Sequence, residues 1–194
     1  MTNAIIVHGT CNEQEYRSSD YPSLSNSHWL PWLQKQLLIR DIAAATPEIP
    51  GAYMPEYAAW AREFERFDIT PETVLIGHSC GGGFLVRWLS EHPDVRVGKV
   101  VLVAPWLDPE KDKGQDNDFF DFHMDPKLVK RTGGVTIFNS DDDDVTIHTS
   151  VSRIMDAIPG IKLTEFHEKG HFCFEDLDTD AFPELLDEIL LEKK

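Results

Sequence analysis

A chain of 194 residues, 41% apolar and 27% charged, reads as one globular domain over 1–194, long enough to bury a sizeable core. Its 34 acidic residues against 18 basic ones, a net charge of −16, repel phosphate and argue against nucleic acid and anionic membrane surfaces as partners. No run approaches the ~20 apolar residues of a membrane helix. The first residues lack a signal peptide's basic and apolar regions. Cys11, Cys80 and Cys173 make neither a C-x-x-C pair nor a disulfide framework. These features predict a cytoplasmic protein with reduced thiols.

In chain order, short β-branched runs alternate with longer amphipathic segments. Strands are expected at Ala4–Val7, Ile42–Ala45, Thr73–Ile76, Lys99–Val103, Val135–Phe138 and Lys162–Phe166, apolar on both faces as in a sheet covered on both sides. Helices are expected at His28–Ile39, Pro55–Phe67, Gly81–His92, Pro126–Thr132, Thr149–Ile158 and Phe182–Leu191, with Ser27 and Thr149 as N-caps. Asn12–Asn26 reads as a polar loop. Trp106–Asp125, acidic and aromatic, reads either as a flap over a site or as a solvated connection tacked down by its rings. The alternation predicts an α/β fold, a doubly wound, mostly parallel six-stranded sheet in the order 2-1-3-4-5-6. Its switch point lies between strands 1 and 3, so a ligand belongs beside His8–Cys11 and Gly77–Gly81.

Gly77-His78-Ser79-Cys80-Gly81 fits G-x-S-x-G between an apolar strand and a helix, the setting of a nucleophile elbow. The pattern alone arises by chance in about one chain of this size in twenty, so the strand, the helix and the switch point carry the argument. Side chains at Gly77 and Gly81 would collide with neighbouring backbone. The run Gly81–Gly83, expensive at a helix start, fits a helix pressed tightly against the sheet. Cys11 and Cys80 are candidate reactive thiols, but neither holds the central elbow position.

A serine nucleophile needs a histidine base and a carboxylate to orient it. Two downstream strand ends supply both. One leads into Asn139-Ser140-Asp141-Asp142-Asp143-Asp144, the other into His167-Glu168-Lys169-Gly170-His171-Phe172. Four adjacent aspartates repel one another, so the fold is expected to use at least one, with a solvated acidic turn as the reading for the others. His171 is the expected base and His167 its competitor. His8, His78 and His148 read as structural; His28, His92 and His123 read as surface residues. The oxyanion would rest on the backbone N–H groups of Thr10 and Cys80. His167–His171 also spells H-E-x-x-H, with Glu184 or Glu188 as a third zinc ligand, but a strand precedes it and Gly170 interrupts it. The aspartate run is not an EF-hand, since Thr146 and Ser152 stand where glycine and glutamate are needed.

Together these motifs resemble the α/β-hydrolase superfamily. More narrowly, they resemble the small serine hydrolases related to retinoblastoma-binding protein 9. The resemblance is carried by His8-Gly9-Thr10, His28-Trp29-x-Pro31-Trp32-Leu33, the elbow at Ser79, Val103-Ala104, Ser140–Asp143 and Gly170-His171-Phe172. It implies a compact α/β-hydrolase fold without a large cap and a Ser-Asp-His triad that needs no cofactor. Asp143 best matches the family's acid, though Ile147 stands where proline is usual, so Asp142 and Asp144 remain alternatives. The Leu-x-Cys-x-Glu motif for the retinoblastoma protein lacks its leucine here, replaced by Gly9 and His171, and that partner is not carried over. The expected function is hydrolysis of small esters or related acyl compounds through an acyl-enzyme, with Ser79, His171 and Asp143 as the catalytic residues. Trp106, Trp29 and Phe172, with Phe119 and Phe120, are candidates for the acyl pocket. The expected partner is a small-molecule acyl substrate; no metal and no protein partner is assigned. The alternative is a weakly catalytic binding or regulatory protein on the same fold.

Overall fold

The computed structural model describes residues 3–108 and 118–191. The elements, in order, are β1 (Asn3–Val7), α1 (Glu13–Arg17), α2 (Leu30–Leu38), β2 (Ala43–Ala45), α3 (Tyr57–Phe64), β3 (Val74–His78), α4 (Cys80–Glu91), β4 (Val97–Val103), β5 (Thr132–Ser140), α5 (Val145–Ala157), β6 (Lys162–Phe166), α6 (Phe174–Leu177) and α7 (Pro183–Leu190). Three 3-10 turns add Leu24–Asn26, Asp118–Phe120 and Leu128–Arg131.

The six strands form one sheet in the order β2-β1-β3-β4-β5-β6, and every pairing is parallel. This is the expected order. Strands β1 and β3 meet with Val7 opposite Gly77, so their C-terminal loops lie side by side at the switch point. All five residues of β3 are buried, as its β-branched and apolar run requires of a central strand. The edge strand β6 departs from that pattern, since Lys162, Leu163 and Glu165 are exposed.

Several local expectations are corrected. Helix α5 begins at Val145, capped by the Asp144 side chain on the Thr146 N–H, so Thr149 lies inside the helix. Ser27 does not cap α2; its hydroxyl donates to the Ser23 carbonyl at 3.1 Å. The polar stretch after β1 folds a turn of helix, α1, capped by Asn12.

Of the flap expected at Trp106–Asp125, residues 109–117, with Glu110, Asp112 and Asp116, lie outside the described residues. Phe119 is buried, edge-on to Trp60 at 5.2 Å and near Tyr57 at 6.1 Å. The described part therefore follows the tacked-down reading, anchored by its aromatic rings.

Candidate active site

Ser79 sits between β3 and α4 with φ 53° and ψ −123°, a conformation that side-chain-bearing residues hold only where the surroundings enforce it. Its N–H donates to the Val103 carbonyl at 2.9 Å, and its carbonyl accepts from Gly82, Gly83 and Trp106 at 2.9, 3.2 and 3.0 Å. The glycines make this turn possible. A Cβ on Gly77 would lie 2.6 Å from the Gly81 carbonyl oxygen, and one on Gly81 would lie 2.4 Å from the carbonyl oxygens of Val7 and His8. These are the collisions expected of a nucleophile elbow.

Beside the elbow, the loop after β1 packs so closely that a Cβ on Gly9 would come within 3.1 Å of Ser79 Cβ. His8, buried under this loop, makes two hydrogen bonds that fix its tautomer. Nδ1–H donates to the Gly9 carbonyl at 2.7 Å, and Nε2 accepts from the Ile49 N–H at 3.0 Å. Burial pushes its pKa down, against a smaller upward pull from the Gly9 carbonyl, so His8 is a neutral structural group. His78 is likewise structural. Its Nε2–H donates to the His171 carbonyl at 2.8 Å, and burial, then the neighbouring His171 and His28, hold its pKa well below the ordinary value.

The acid and base loops meet as their strands dictate, because β5 and β6 are neighbours with Ser140 opposite Phe166. Asp143 reaches His171 Nδ1 with both carboxylate oxygens, at 3.1 and 2.9 Å. The Asp143 side chain is 3% exposed and that of His171 29%. A proton on Nδ1 between these oxygens leaves the Nε2 lone pair for chemistry.

The other three aspartates lie on the exposed turn expected of them, and each also has a separate task. Asp141 binds His167 Nδ1 at 2.6 Å and the Glu168 N–H at 3.1 Å. Asp142 Oδ1 accepts from the Ser140 hydroxyl at 2.6 Å and the Gly170 N–H at 2.9 Å. Asp144 caps α5. All three carboxyls are held below the ordinary value: Asp141 first by His167, Asp142 first by Ser140, Asp144 first by Thr146.

The loop bearing His171 is sharply bent, with positive φ at Glu168, Gly170 and Phe172. The His171 N–H donates to Asp176 Oδ2 at 2.9 Å, and so does that of Cys173 at 3.0 Å. Asp176 was not foreseen. Its signal was the three-residue spacing from Cys173 at the start of an acidic run, a capping-box spacing with cysteine in the serine position. The same geometry disposes of the zinc motif. No helix spans 167–171, and the two histidines serve different carboxylates.

Ser79, His171, Thr10, His28, Leu24 and Leu30 line one cleft of about 340 Å³, its open mouth included. Cys80 opens α4 directly after Ser79 but is fully buried, which removes it as a reactive thiol. Cys173 also lines the cleft; burial, then Asp176 and Glu175, push its thiol up to about 12.

Two of the expected pocket residues are corrected. Trp29 and Phe172 have no exposed surface. Trp29 packs on His78 at 5.6 Å and Phe182 at 5.9 Å. Phe172 stacks on Phe182 at 5.4 Å, pinning the His171 loop to the core. Trp106 touches the elbow through its N–H, while its ring meets Phe120 at 5.6 Å, outside the cleft lining. Phe119 is core. His28, expected on the surface, is half-buried and lines the cleft.

Comparison with known proteins agrees with this architecture. The family described as serine hydrolase matches residues 19–187. YdeN of Bacillus subtilis (strain 168), named as a hydrolase, is 26% identical over 178 residues, covering 89% of this chain and 90% of its own. The crystal structure of the ydeN gene product superposes with a TM-score of 0.75 at 22% identity, over 97% of each chain. Est1E from Butyrivibrio proteoclasticus gives 0.63 at 16% identity, over 97% of this chain and 88% of that one. With residues 19–187 matching its model, the chain belongs to the serine hydrolase family, and its parallel six-stranded sheet has the α/β-hydrolase fold.

Proposed function

We propose that the protein hydrolyses small carboxylic esters or related acyl compounds through an acyl-enzyme on Ser79. The observation that carries this reading is the paired contact of Asp143 with His171 Nδ1, His171 itself lining one cleft with the strained Ser79. In the first half-reaction Ser79 Oγ attacks the carbonyl carbon and His171 Nε2 takes the hydroxyl proton. Asp143 holds the ring in the required tautomer and stabilises the imidazolium. The backbone N–H groups of Thr10 and Cys80 receive the developing oxyanion, where one such donor is worth ~10²–10³ in rate. His171 then returns its proton to the departing alcohol oxygen. Water, deprotonated by the same nitrogen, releases the acid and restores Ser79.

Leu24 and Leu30 give the cleft apolar lining, and its small volume favours short acyl groups. Each methylene buried adds about 0.8 kcal/mol of binding until the cleft is full. Across a series of p-nitrophenyl esters, kcat/KM is therefore expected to peak at short chains and fall for long ones. A fluorophosphonate probe is expected to label the protein, and Ser79→Ala to abolish labelling. Equal labelling of both proteins would remove Ser79 from this role. Labelling without turnover on ester, thioester and amide panels would favour a binding protein instead.

A further inference from the structure

Beside the Ser79, His171 and Asp143 side chains lies a second cluster with different donor chemistry. A nitrogen of His28, Cys173 Sγ and a carboxylate oxygen of Glu175 all lie within 4.8 Å of one another. His28 precedes α2 and holds a left-handed backbone at φ 55°; Cys173 and Glu175 flank the first residue of α6. His28 Nδ1 accepts the Phe174 N–H at 3.1 Å. Its ring proton is therefore on Nε2, and the Nδ1 lone pair faces the segment holding the other two donors. One nitrogen, one sulfur and one oxygen suit a tetrahedral cation with bonds of about 2.0–2.3 Å, reached from this spacing by small side-chain movements. Magnesium and calcium prefer all-oxygen shells, so the mixed set selects a softer ion. Acidic side chains also stand around the donors, since Asp176 accepts the Cys173 N–H at 3.0 Å and the His171 N–H at 2.9 Å.

We propose that His28, Cys173 and Glu175 bind a thiophilic divalent cation of the zinc class at the rim of the Ser79 cleft, and that its occupancy shuts the cleft to substrate. Two of the three donors, His28 and Cys173, line the same cleft as Ser79 and His171. On binding, the cation replaces the Phe174 N–H at Nδ1. It also displaces the thiol proton of Cys173, which leaves to solvent, and a water completes four-coordination. Closure of the cleft rests on the hydrolase reading of Ser79; binding of the cation does not.

Cobalt(II) is the probe for binding, because a cobalt–thiolate bond gives a near-ultraviolet charge-transfer band. The band is expected in the native protein and expected to vanish in Cys173→Ser, which retains Cys11 and Cys80. Fluorophosphonate labelling without metal shows that each variant is folded. Closure is read from zinc inhibition of p-nitrophenyl ester hydrolysis, each rate divided by that of the same variant without zinc. The half-inhibiting concentration is expected to rise at least about tenfold in Glu175→Gln and His28→Gln, since even a ligand's supporting partner is worth that much. Absence of the band, or its survival in Cys173→Ser, overturns the site. A band with unshifted inhibition overturns the closure. Failure of Ser79 to label overturns the hydrolase reading and the closure with it, while the cobalt band still decides whether the site exists.

Discussion

His171 is held at every polar atom of its main chain. The N–H is bound by Asp176 and the carbonyl by His78, while Asp142 holds the N–H of the preceding Gly170. Asp143 fixes the ring. In the proposed mechanism such a residue gives up little freedom on moving a proton, because its ordering is already complete in the resting fold. Asp176 is a positioning residue in this scheme. Its carboxylate touches no reacting atom but accepts two backbone N–H groups of the loop. Asp176→Ala is expected to lower kcat by about 10- to 100-fold, with a smaller effect on KM. Asp176→Asn, which keeps one acceptor oxygen, should recover most of the loss. Equal changes in kcat and KM for both variants would point to a collapsed loop rather than a misplaced ring. Little of this was legible in the sequence. The four aspartates look alike as a run, and only the pairing of β5 with β6 distributes them among His167, Gly170, His171 and the α5 cap. Trp29 and Phe172 lie in the core and not in the cleft wall, which their positions in the sequence hide for a related reason. An aromatic residue beside a motif is equally at home in a pocket wall or in the core behind it, and composition does not separate the two.

At the scale of elements, the packing of α4 on the sheet decides where the serine stands. The helix has ten buried residues, among them Gly81, Gly82 and Gly83. A Cβ on Gly83 would lie 2.1 Å from the Trp106 carbonyl oxygen, which is backbone and cannot rotate away. Gly83→Ala is therefore expected to destabilise the fold by about 2–3 kcal/mol through overpacking, despite alanine's better helix propensity. Urea denaturation checks this, and an unchanged or raised midpoint would refute it. Here the sequence was informative. Three successive glycines after G-x-S-x-G contradict local helix propensity, and such conflicts arise where tertiary packing dictates the residue. Buried strands β1, β3 and β4 were legible because both faces are apolar. The helix α1, five residues long with none buried, gave no periodic signal, and β6 was placed correctly while its exposure was not.

For the whole molecule, the buried histidines tie stability to pH. His8 and His78 have pKa values lowered by burial, so the unfolded chain binds protons that the folded one refuses. Their contribution is intact above the ordinary imidazole value of 6.5 and is lost as the pH falls below it toward the folded-state values. The exposed His167 acts oppositely, since Asp141 raises its pKa, but solvent screening makes that pair weak. The urea midpoint is expected to fall between about pH 7.5 and about pH 5, and His8→Asn to make that fall shallower. An identical slope in the variant would remove His8 from the account. The elbow has a further consequence for the molecule as a whole. At Ser79 the backbone is in a region that glycine occupies freely, and strain of this kind stores about 1–3 kcal/mol. Ser79→Gly adds unfolded-state entropy worth about 0.4–1 kcal/mol against the fold, so the variant is expected to melt at the same temperature or higher, with fluorophosphonate labelling lost. A lower melting temperature would show that the elbow is unstrained. Selection for thermostability alone would then tend to discard Ser79, and only selection for the proposed turnover would keep a serine at this position.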